Sequence, residues 1–355
     1  MNKPTEHLEI DTIDQVEHWL GLSDPSELEP LWAAADTTRR RHVGDAVHLR
    51  GLIEISNYCV RRCGYCGLAV THTDLQRYRM TDAEILDCAR QAHAFGYGTV
   101  VMQAGEDDGL TTERIAALIG SIKSELPLAV TLSLGERPMA DLIAWRKAGA
   151  DRYLLRFETS DTELYKRIHP PRPGQTDDRF DTLRQLRRLG YEVGSGVMIG
   201  IPGQSYRTLA RDILTFKELD LDMIGVGPYI PNPATPLGRG QLVEDLHPDE
   251  QVPGDELMTY KAVALARLVC PQANIPGTTA LATINRDNGR ELSLMRGANV
   301  VMPNVTPVAY RTRYEIYPGK ACLNETAQAC QGCLKGRIHA IGRVIGQGPG
   351  SRPAR

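Results

Sequence analysis

The chain has 355 residues, 42% hydrophobic and 24% charged, with 41 basic against 44 acidic side chains for a formal net charge of -3. That length suits one large α/β barrel or two ordinary domains with a substantial core, and the near-balanced charge gives no electrostatic reason to expect nucleic acid or an anionic membrane as a partner. The opening MNKPTEHLEIDTIDQVEHW is too polar for a signal peptide and no apolar run approaches the ~18 residues of a membrane span, so the expected compartment is a reducing cytoplasm.

Residues 12–45 carry two helical patterns, one around Val16 and Leu20, the other from Asp24-Pro25 through Leu28, Leu31, Trp32 and Ala35 at three- and four-residue spacing. They predict an N-terminal helical cap over residues 1–48. From residue 51 short apolar runs alternate with amphipathic segments, the sequence form of repeated βα units around a parallel sheet. The runs are 52–56, 99–103, 129–134, 152–157, 194–199, 223–229, 274–278 and 299–303, with helical segments at 81–95, 111–125, 138–148, 161–168, 177–189, 205–219, 255–269 and 289–296. The expected fold is therefore α/β, a complete (β/α)8 TIM-type barrel over residues 49–310, followed by a cysteine-containing extension, 311–355.

Just beyond the first run lies EISNYCVRRCGYCGLAV, with Cys59, Cys63 and Cys66 spaced C-x3-C-x2-C. Thiolates hold iron–sulfur clusters, and three on one loop can occupy three irons of a four-iron cube, leaving the fourth open. Zinc remains a possible reading, although it normally takes four N or S ligands and the nearest histidine is His72, in a polar stretch. A disulfide framework belongs to oxidising compartments and small, core-poor chains.

Barrel enzymes place their chemistry at the C-terminal ends of the strands, and other polar clusters fall at those ends. Gln103-Ala104-Gly105-Glu106-Asp107 follows the second run, Thr131-Leu132-Ser133-Leu134-Gly135-Glu136 ends the third, and Arg156-Phe157-Glu158-Thr159 ends the fourth. Loops are polar by default, so no one of these carries the argument alone. Arg152 and Arg156, four apart on one strand segment, share a face. An inward pair of guanidiniums is costly unless it meets anions, which predicts a small, carboxylate-bearing substrate. Farther on, YPGKACLNETAQACQGCLKG groups Cys322, Cys330 and Cys333 as C-x7-C-x2-C; a second iron–sulfur site, zinc or no metal all stay open there. Cys88 and Cys270 sit in or at the end of helical patterns and read as buried small hydrophobes.

With the aromatic Tyr65 before its third cysteine, this loop resembles that of the radical S-adenosylmethionine (radical SAM) superfamily. The strings NYCVRRCGYCGL, RYRMT, QAGED, VTLSLGE, AGADRYLLRFET, GYEVGSGVMIGIPGQ, DMIGVGPYIPNPATPL, IPGTTA and GANVVMPNVTP, in that order, resemble more narrowly the HydE group of [FeFe]-hydrogenase maturases, close relatives of biotin synthase and 3-methylornithine synthase. The resemblance implies a [4Fe–4S] cluster on Cys59, Cys63 and Cys66 whose open iron chelates S-adenosyl-L-methionine. It implies that Tyr65 lies beside the adenine, that the backbone at Gln103, Ala104, Gly105 and Glu106 holds the methionine amino group, and that Ser133, Glu158 and Arg179 also hold the cofactor. Charge-assisted contacts of that kind suit a zwitterionic ligand. Thr131, Arg152, Arg156, Thr278, Thr279, Met302 and Tyr314 match residues lining the substrate and anion sites; Met223 either joins them or fills the core. Cys322, Cys330 and Cys333 match the auxiliary cluster site, [2Fe–2S] or [4Fe–4S], of some members.

The implied activity is reductive cleavage of S-adenosylmethionine to methionine and a 5′-deoxyadenosyl radical. A flavodoxin- or ferredoxin-like donor supplies the electron, and the radical acts on a cysteine-derived iron carbonyl cyanide complex made by another hydrogenase maturase. Two alternatives stand beside it. One is a HydE-like radical SAM enzyme rearranging a small organic, amino-acid-like substrate, as the methylornithine- and biotin-forming cousins do. The other is an iron–sulfur scaffold or carrier, against which the arginine pair and the polar strand ends count. The chain departs from the family pattern in having Phe157 where histidine is usual, in the proline-rich stretch 168–178, and in a long polar linker, 238–256.

Overall fold

The computed structural model describes residues 8–172, 178–242 and 246–353. Eight strands are formed: β1 (Ala46–Ser56), β2 (Thr99–Ala104), β3 (Ala129–Ser133), β4 (Arg152–Leu154), β5 (Glu192–Ile199), β6 (Met223–Pro228), β7 (Val300–Val301) and β8 (Val344–Ile345). Seven form a parallel sheet in the order β6-β5-β4-β3-β2-β1-β7, and β8 pairs with β1 off that path. The strands are apolar and buried on both faces, as parallel sheets require; Val100, Val101 and Met102 of β2 and Val130 and Leu132 of β3 are almost fully enclosed.

Between consecutive strands the chain returns through helices whose starts are written in the sequence. Thr81 and Glu84 form a reciprocal capping box on Asp82–Ala94, while Thr111, Asp161, Asp178, Ser205 and Asp255 each accept an amide N–H at the start of the next helices. Their apolar stripes, such as Ile85, Ala89 and Ala92, face the sheet. Every strand therefore ends at the same mouth, and the loops leaving it are neighbours.

The first six runs are found as strands, the fourth shortened. The seventh, 274–278, makes single parallel bridges instead: Asn274 to Met223 and Pro276 to Val300. Asn274 O accepts from Ile224 N–H at 2.9 Å and Val300 O from Gly277 N–H at 3.0 Å, so this segment lies between β6 and β7. The helices Ile13–Gly21 and Pro25–Val43 lie on the flank, against Tyr206–Glu218 and Glu256–Val269. Lys261 on the last of these donates to Leu22 O at 2.8 Å.

In the extension, the helix Ala327–Ala340 was not legible in the sequence. Its sequence AQACQGCLKGRIHA has two glycines and only a thin apolar face, Ala327, Leu334 and Ile338. Among the described residues no helix is long and apolar enough to cross a membrane.

Candidate active site

The cysteine loop is held by its backbone. Asn57, directly after β1, donates through Nδ2 to Gln76 O (2.9 Å) and Arg313 O (2.7 Å) and accepts from Tyr78 N–H at 2.7 Å. Arg77 gathers the loop by donating to the carbonyls of Asn57, Leu68, Ala69 and His72 at 2.6 to 3.2 Å. From the next strand, Glu106 O accepts from Val60 N–H at 2.9 Å. Gly105 lets that strand end approach, since a Cβ there would lie 2.4 Å from Tyr58 O and 2.6 Å from Cys59 Cβ.

Cys59, Cys63 and Cys66 line a cavity of about 260 Å³ at this mouth. All eight cysteines are free, which removes the disulfide reading. A zinc site normally takes four N or S ligands, and the imidazole beside these thiols, that of His169, is engaged with Cys63 Sγ at 3.0 Å and Arg179 Nη2 at 2.8 Å. Three sulfurs on one loop suit a polynuclear cluster. Burial pushes all three thiols up, Cys66 to about 12, so as ligands they need the positive charge of a metal group to be held as thiolates.

Behind the cysteines sits a buried quartet of charges. Arg61 pairs with Glu106 and reaches Glu136 Oε2 at 2.8 Å; Arg179 Nε reaches Glu136 Oε1 at 2.6 Å; Glu106 Oε1 accepts from Glu136 N–H at 2.9 Å. Glu106, Glu136 and His169 offer ligand atoms within 4.8 Å of one another, but Arg61 and Arg179 already neutralise both carboxylates. Burial works against the Glu136 charge, and the Arg179 and Arg61 guanidiniums outweigh it, leaving its pKa lowered.

Burial and then Arg179 pull His169 down to about 4, so its imidazole is neutral at pH 7. Arg179 Nη2 can only donate to His169 Nε2, 2.8 Å away, which puts the ring proton on Nδ1, 3.0 Å from Cys63 Sγ. Arg61 and His169 were missed by sequence reasoning. The available signals were the arginines inside CVRRC and the histidine opening the proline-rich stretch, of which 173–177 lie outside the described residues.

Glu158 has φ 64°, the left-handed region that a glutamate seldom occupies. It is fixed by Gly196 O, which accepts its N–H at 3.0 Å, and by Met198 N–H, which donates to its carbonyl at 3.2 Å. Such strain clusters at functional sites. Its Oε1 accepts from Tyr65 OH at 3.5 Å, and its Oε2 forms an ion pair with Arg156 Nη2 at 3.1 Å.

A second, inner cavity of about 170 Å³ continues toward the strand starts, sharing Gln103, Leu154, Arg156, Thr278 and Tyr314 with the first. Thr131, Met223, Thr279 and Met302 line it. Thr131 Oγ1, Arg156 Nε and Arg50 Nε are buried there without hydrogen-bond partners. Glu54 and Lys320, unforeseen in the sequence, form a buried ion pair on its wall, with Asn304 Nδ2 donating to Glu54 Oε2 at 3.0 Å.

The remaining expected residues sort as follows. Tyr65, Gln103, Ala104, Gly105, Glu106, Ser133, Glu158 and Arg179 all line the outer cavity. Glu106 and Arg179 do so with their charged groups already engaged. Arg152 lines neither cavity: it is fully buried at the strand start, bound to Glu192 Oε2 (2.7 Å), Thr99 Oγ1 (3.0 Å) and Pro349 O (3.1 Å). The two-residue period set its facing correctly, but four residues at about 3.3 Å each put it some 13 Å below Arg156. Arg50 of β1 takes its place on the inner wall.

Phe157 does not touch the cavity either. Its ring packs on Phe180 and Phe216, with centroids 5.2 and 5.8 Å away, so this departure from the family leaves the pocket's polarity untouched.

In the extension Cys322, at φ 64°, lies 3.8 Å from both terminal nitrogens of Arg290. A hydrogen bond with Cys330, then Arg290, pulls its thiol down to about 5. Cys333, one turn after Cys330 on the helix Ala327–Ala340, is exposed.

The Radical SAM superfamily pattern matches residues 53–228, so fold and site together define a radical SAM protein. The chain is 44% identical over 333 residues, 94% of its length and 91% of the relative's, to the [FeFe] hydrogenase maturase subunit HydE of Thermotoga maritima. To the 3-methylornithine synthase of Methanosarcina acetivorans it is 29% identical over 291 residues, 81% and 78% of the two chains. Its fold matches a crystal structure of methylornithine synthase (PylB) with a TM-score of 0.78 at 25% identity, covering 97% of this chain and 96% of that one. The chain belongs to the HydE family of radical SAM enzymes.

Proposed function

We propose that the protein is a HydE-type maturase that cleaves S-adenosylmethionine reductively and uses the resulting radical on a small, carboxylate-bearing, cysteine-derived complex during assembly of the [FeFe]-hydrogenase diiron cofactor. The observation that carries this reading is a pair of cavities sharing Gln103, Arg156 and Thr278 in their walls, the cysteines lining the outer one and the unpartnered polar atoms Arg156 Nε and Thr131 Oγ1 buried along the inner one.

Cys59, Cys63 and Cys66 would hold a [4Fe–4S] cluster, and when bound it supplies the open iron and the electron that split S-adenosylmethionine into methionine and a 5′-deoxyadenosyl radical. The chain does the rest by binding and shielding. Glu158, held in its strained backbone position and paired with Arg156, presents its carboxylate to a ribose hydroxyl or ammonium. Tyr65 and the Gln103–Glu106 backbone close around the same ligand, with Ser133 beside them. Arg156, placed between the two cavities, offers its unpartnered Nε to a substrate carboxylate. Thr278, Thr279, Met302 and Tyr314 shape the chamber that receives the substrate.

The bridging segment at 274–277 supports a closed (β/α)8 barrel over residues 49–310, flanked by 1–48 and extended by 311–355. Cys322, Cys330 and Cys333 are assigned to a peripheral [2Fe–2S] or [4Fe–4S] cluster. A flavodoxin- or ferredoxin-like donor and a partner maturase supply electron and substrate, and oxygen-labile chemistry of this kind fits a reducing cytoplasm. Anaerobic reconstitution followed by a 5′-deoxyadenosine assay tests the reading: reduced protein should form the product and Cys63→Ala should form none. Equal product from both would overturn it.

A further inference from the structure

Residues 344–352 pass beneath the sheet, at the end opposite the cysteines. Val344 and Ile345 pair with Ala46 and Val47 at the start of β1, and Gly346 N–H donates to Val47 O at 2.9 Å. Beyond that point the tail's own carbonyls meet inward-pointing side chains. Pro349 O accepts from Thr99 Oγ1 (2.9 Å) and Arg152 Nη2 (3.1 Å); Gly350 O accepts from Arg50 Nη2 (3.1 Å) and Asn274 Nδ2 (3.0 Å). Arg152 Nη2 also reaches Ser351 Oγ at 2.9 Å. Arg352 then latches the segment through Asp220 Oδ1 (2.9 Å) and Asp222 Oδ1 (3.0 Å).

Arg50 has an unusual position among these donors. It is buried, it lines the inner cavity, and among the described residues it forms no ion pair. Its only other hydrogen-bond contact among the described residues is Nη1 to Met223 Sδ at 2.9 Å, a weak acceptor. The tail carbonyl therefore supplies its one strong acceptor and sets which way the guanidinium turns. Gly98 shows how closely the tail is seated: a Cβ there would stand 1.7 Å from Gly348 O.

We propose that residues 344–352 back the floor of the inner chamber from beneath Arg50 and Asn274, a positioning segment that aims Arg50 and, through it, Met223 at the substrate end and closes the far end of the sheet to water. This rests on the reading above, in which a radical is generated in the connected space. A radical site profits from exclusion of water and stray reactants. Without the tail, Arg50, Thr99, Arg152 and Asn274 would each lose an acceptor, and water would enter to replace it.

Gly98→Ala and Arg352→Ala test this in reconstituted full-length protein, one by crowding the tail and the other by removing its latch. Hydrogen exchange should show residues 344–352 losing protection in both. Pulsed hydroxyl-radical footprinting should show Met223 oxidised about fivefold faster or more, as expected for local opening, with Met102, buried in β2, unchanged. S-adenosylmethionine binding at the outer cavity should hold, while the concentration of cysteine-derived complex needed for half-maximal stimulation rises. If the complex is not the substrate, that last readout fails alone and Met223 still becomes exposed. A tail that stays protected in both variants, or Met223 that stays shielded while the tail exchanges, overturns the floor assignment.

Discussion

His169 joins the cysteine loop to the cofactor-facing arginine: Nδ1 lies 3.0 Å from Cys63 Sγ and Nε2 lies 2.8 Å from Arg179 Nη2. With the ring neutral and its proton on Nδ1, His169 donates toward the cysteine sulfur. Hydrogen bonds to ligand sulfurs raise a cluster's reduction potential. His169→Ala is therefore expected to move the reconstituted cluster to a more negative midpoint, which a redox titration followed by electron paramagnetic resonance would measure; an unchanged midpoint counts against the contact.

The charge quartet makes a separate prediction. Glu136→Gln leaves Arg61 and Arg179 sharing one carboxylate in a buried site, and breaking such a pair costs about 3 kcal/mol. Urea unfolding of the metal-free protein should show a loss of that order. A variant as stable as the wild type would mean that water or rearrangement already screens these charges.

The two cysteine groups should behave differently. Cys63→Ala removes a sulfur from the loop beside the cofactor cavity and should abolish 5′-deoxyadenosine formation, whereas Cys330→Ala lies in the extension, away from either cavity lining, and should leave it largely intact. Equal loss in the two variants would move the extension's cysteines into the core reaction.

Asp212 predicts a pH effect. It is fully buried, accepts from Ser160 N–H (2.5 Å), Ser160 Oγ (2.6 Å) and Gln204 Nε2 (3.2 Å), and so pins the turn that follows Glu158. Burial, opposed by these hydrogen bonds, pushes its pKa up to about 6. The folded state thus holds its proton more tightly than the unfolded chain, where an aspartate titrates near 3.9. Its contribution is most favourable below about pH 4 and falls as pH rises to about 6, by about 3 kcal/mol across the window. Asp212→Asn should remove that fall, so the stability difference between variant and wild type should grow in the variant's favour from pH 4 to 6.5. A flat difference would place the aspartate's folded pKa near its ordinary value.

Much of the fold was legible because its signals are local. Apolar runs, capping residues and the C-x3-C-x2-C spacing each lie within a few residues of one another. The pairings that organise the site are not local. Arg61 meets Glu136 and His169 meets Cys63 only because three βα units bring their loops to one mouth. The strand period gave Arg152 its face but not its depth, and β1 begins earlier than the run at 52 suggested, which hid Arg50. The tail GQGPGS has no hydrophobic period at all; its order comes from the side chains it satisfies. Phe157 was legible as a departure, but only its packing on Phe180 and Phe216 shows that it points away from the cavity.

Phe157→His tests that last point. A histidine there would place a polar ring among aromatic side chains, and an unpaired buried polar group costs about 1–3 kcal/mol. The expected result is lower stability with little change in S-adenosylmethionine affinity, read by thermal unfolding and equilibrium binding. A gain in cofactor affinity at unchanged stability would put the side chain in the pocket.

The most direct test of the proposed role is to measure 5′-deoxyadenosine from anaerobically reconstituted, reduced protein with and without a cysteine-derived iron carbonyl cyanide complex. Turnover stimulated by the complex, and lost in Arg156→Ala, is the predicted result. Cleavage of S-adenosylmethionine that the complex leaves unchanged, but that a small organic amino acid stimulates, would contradict the maturase role and leave a radical SAM enzyme with a different substrate.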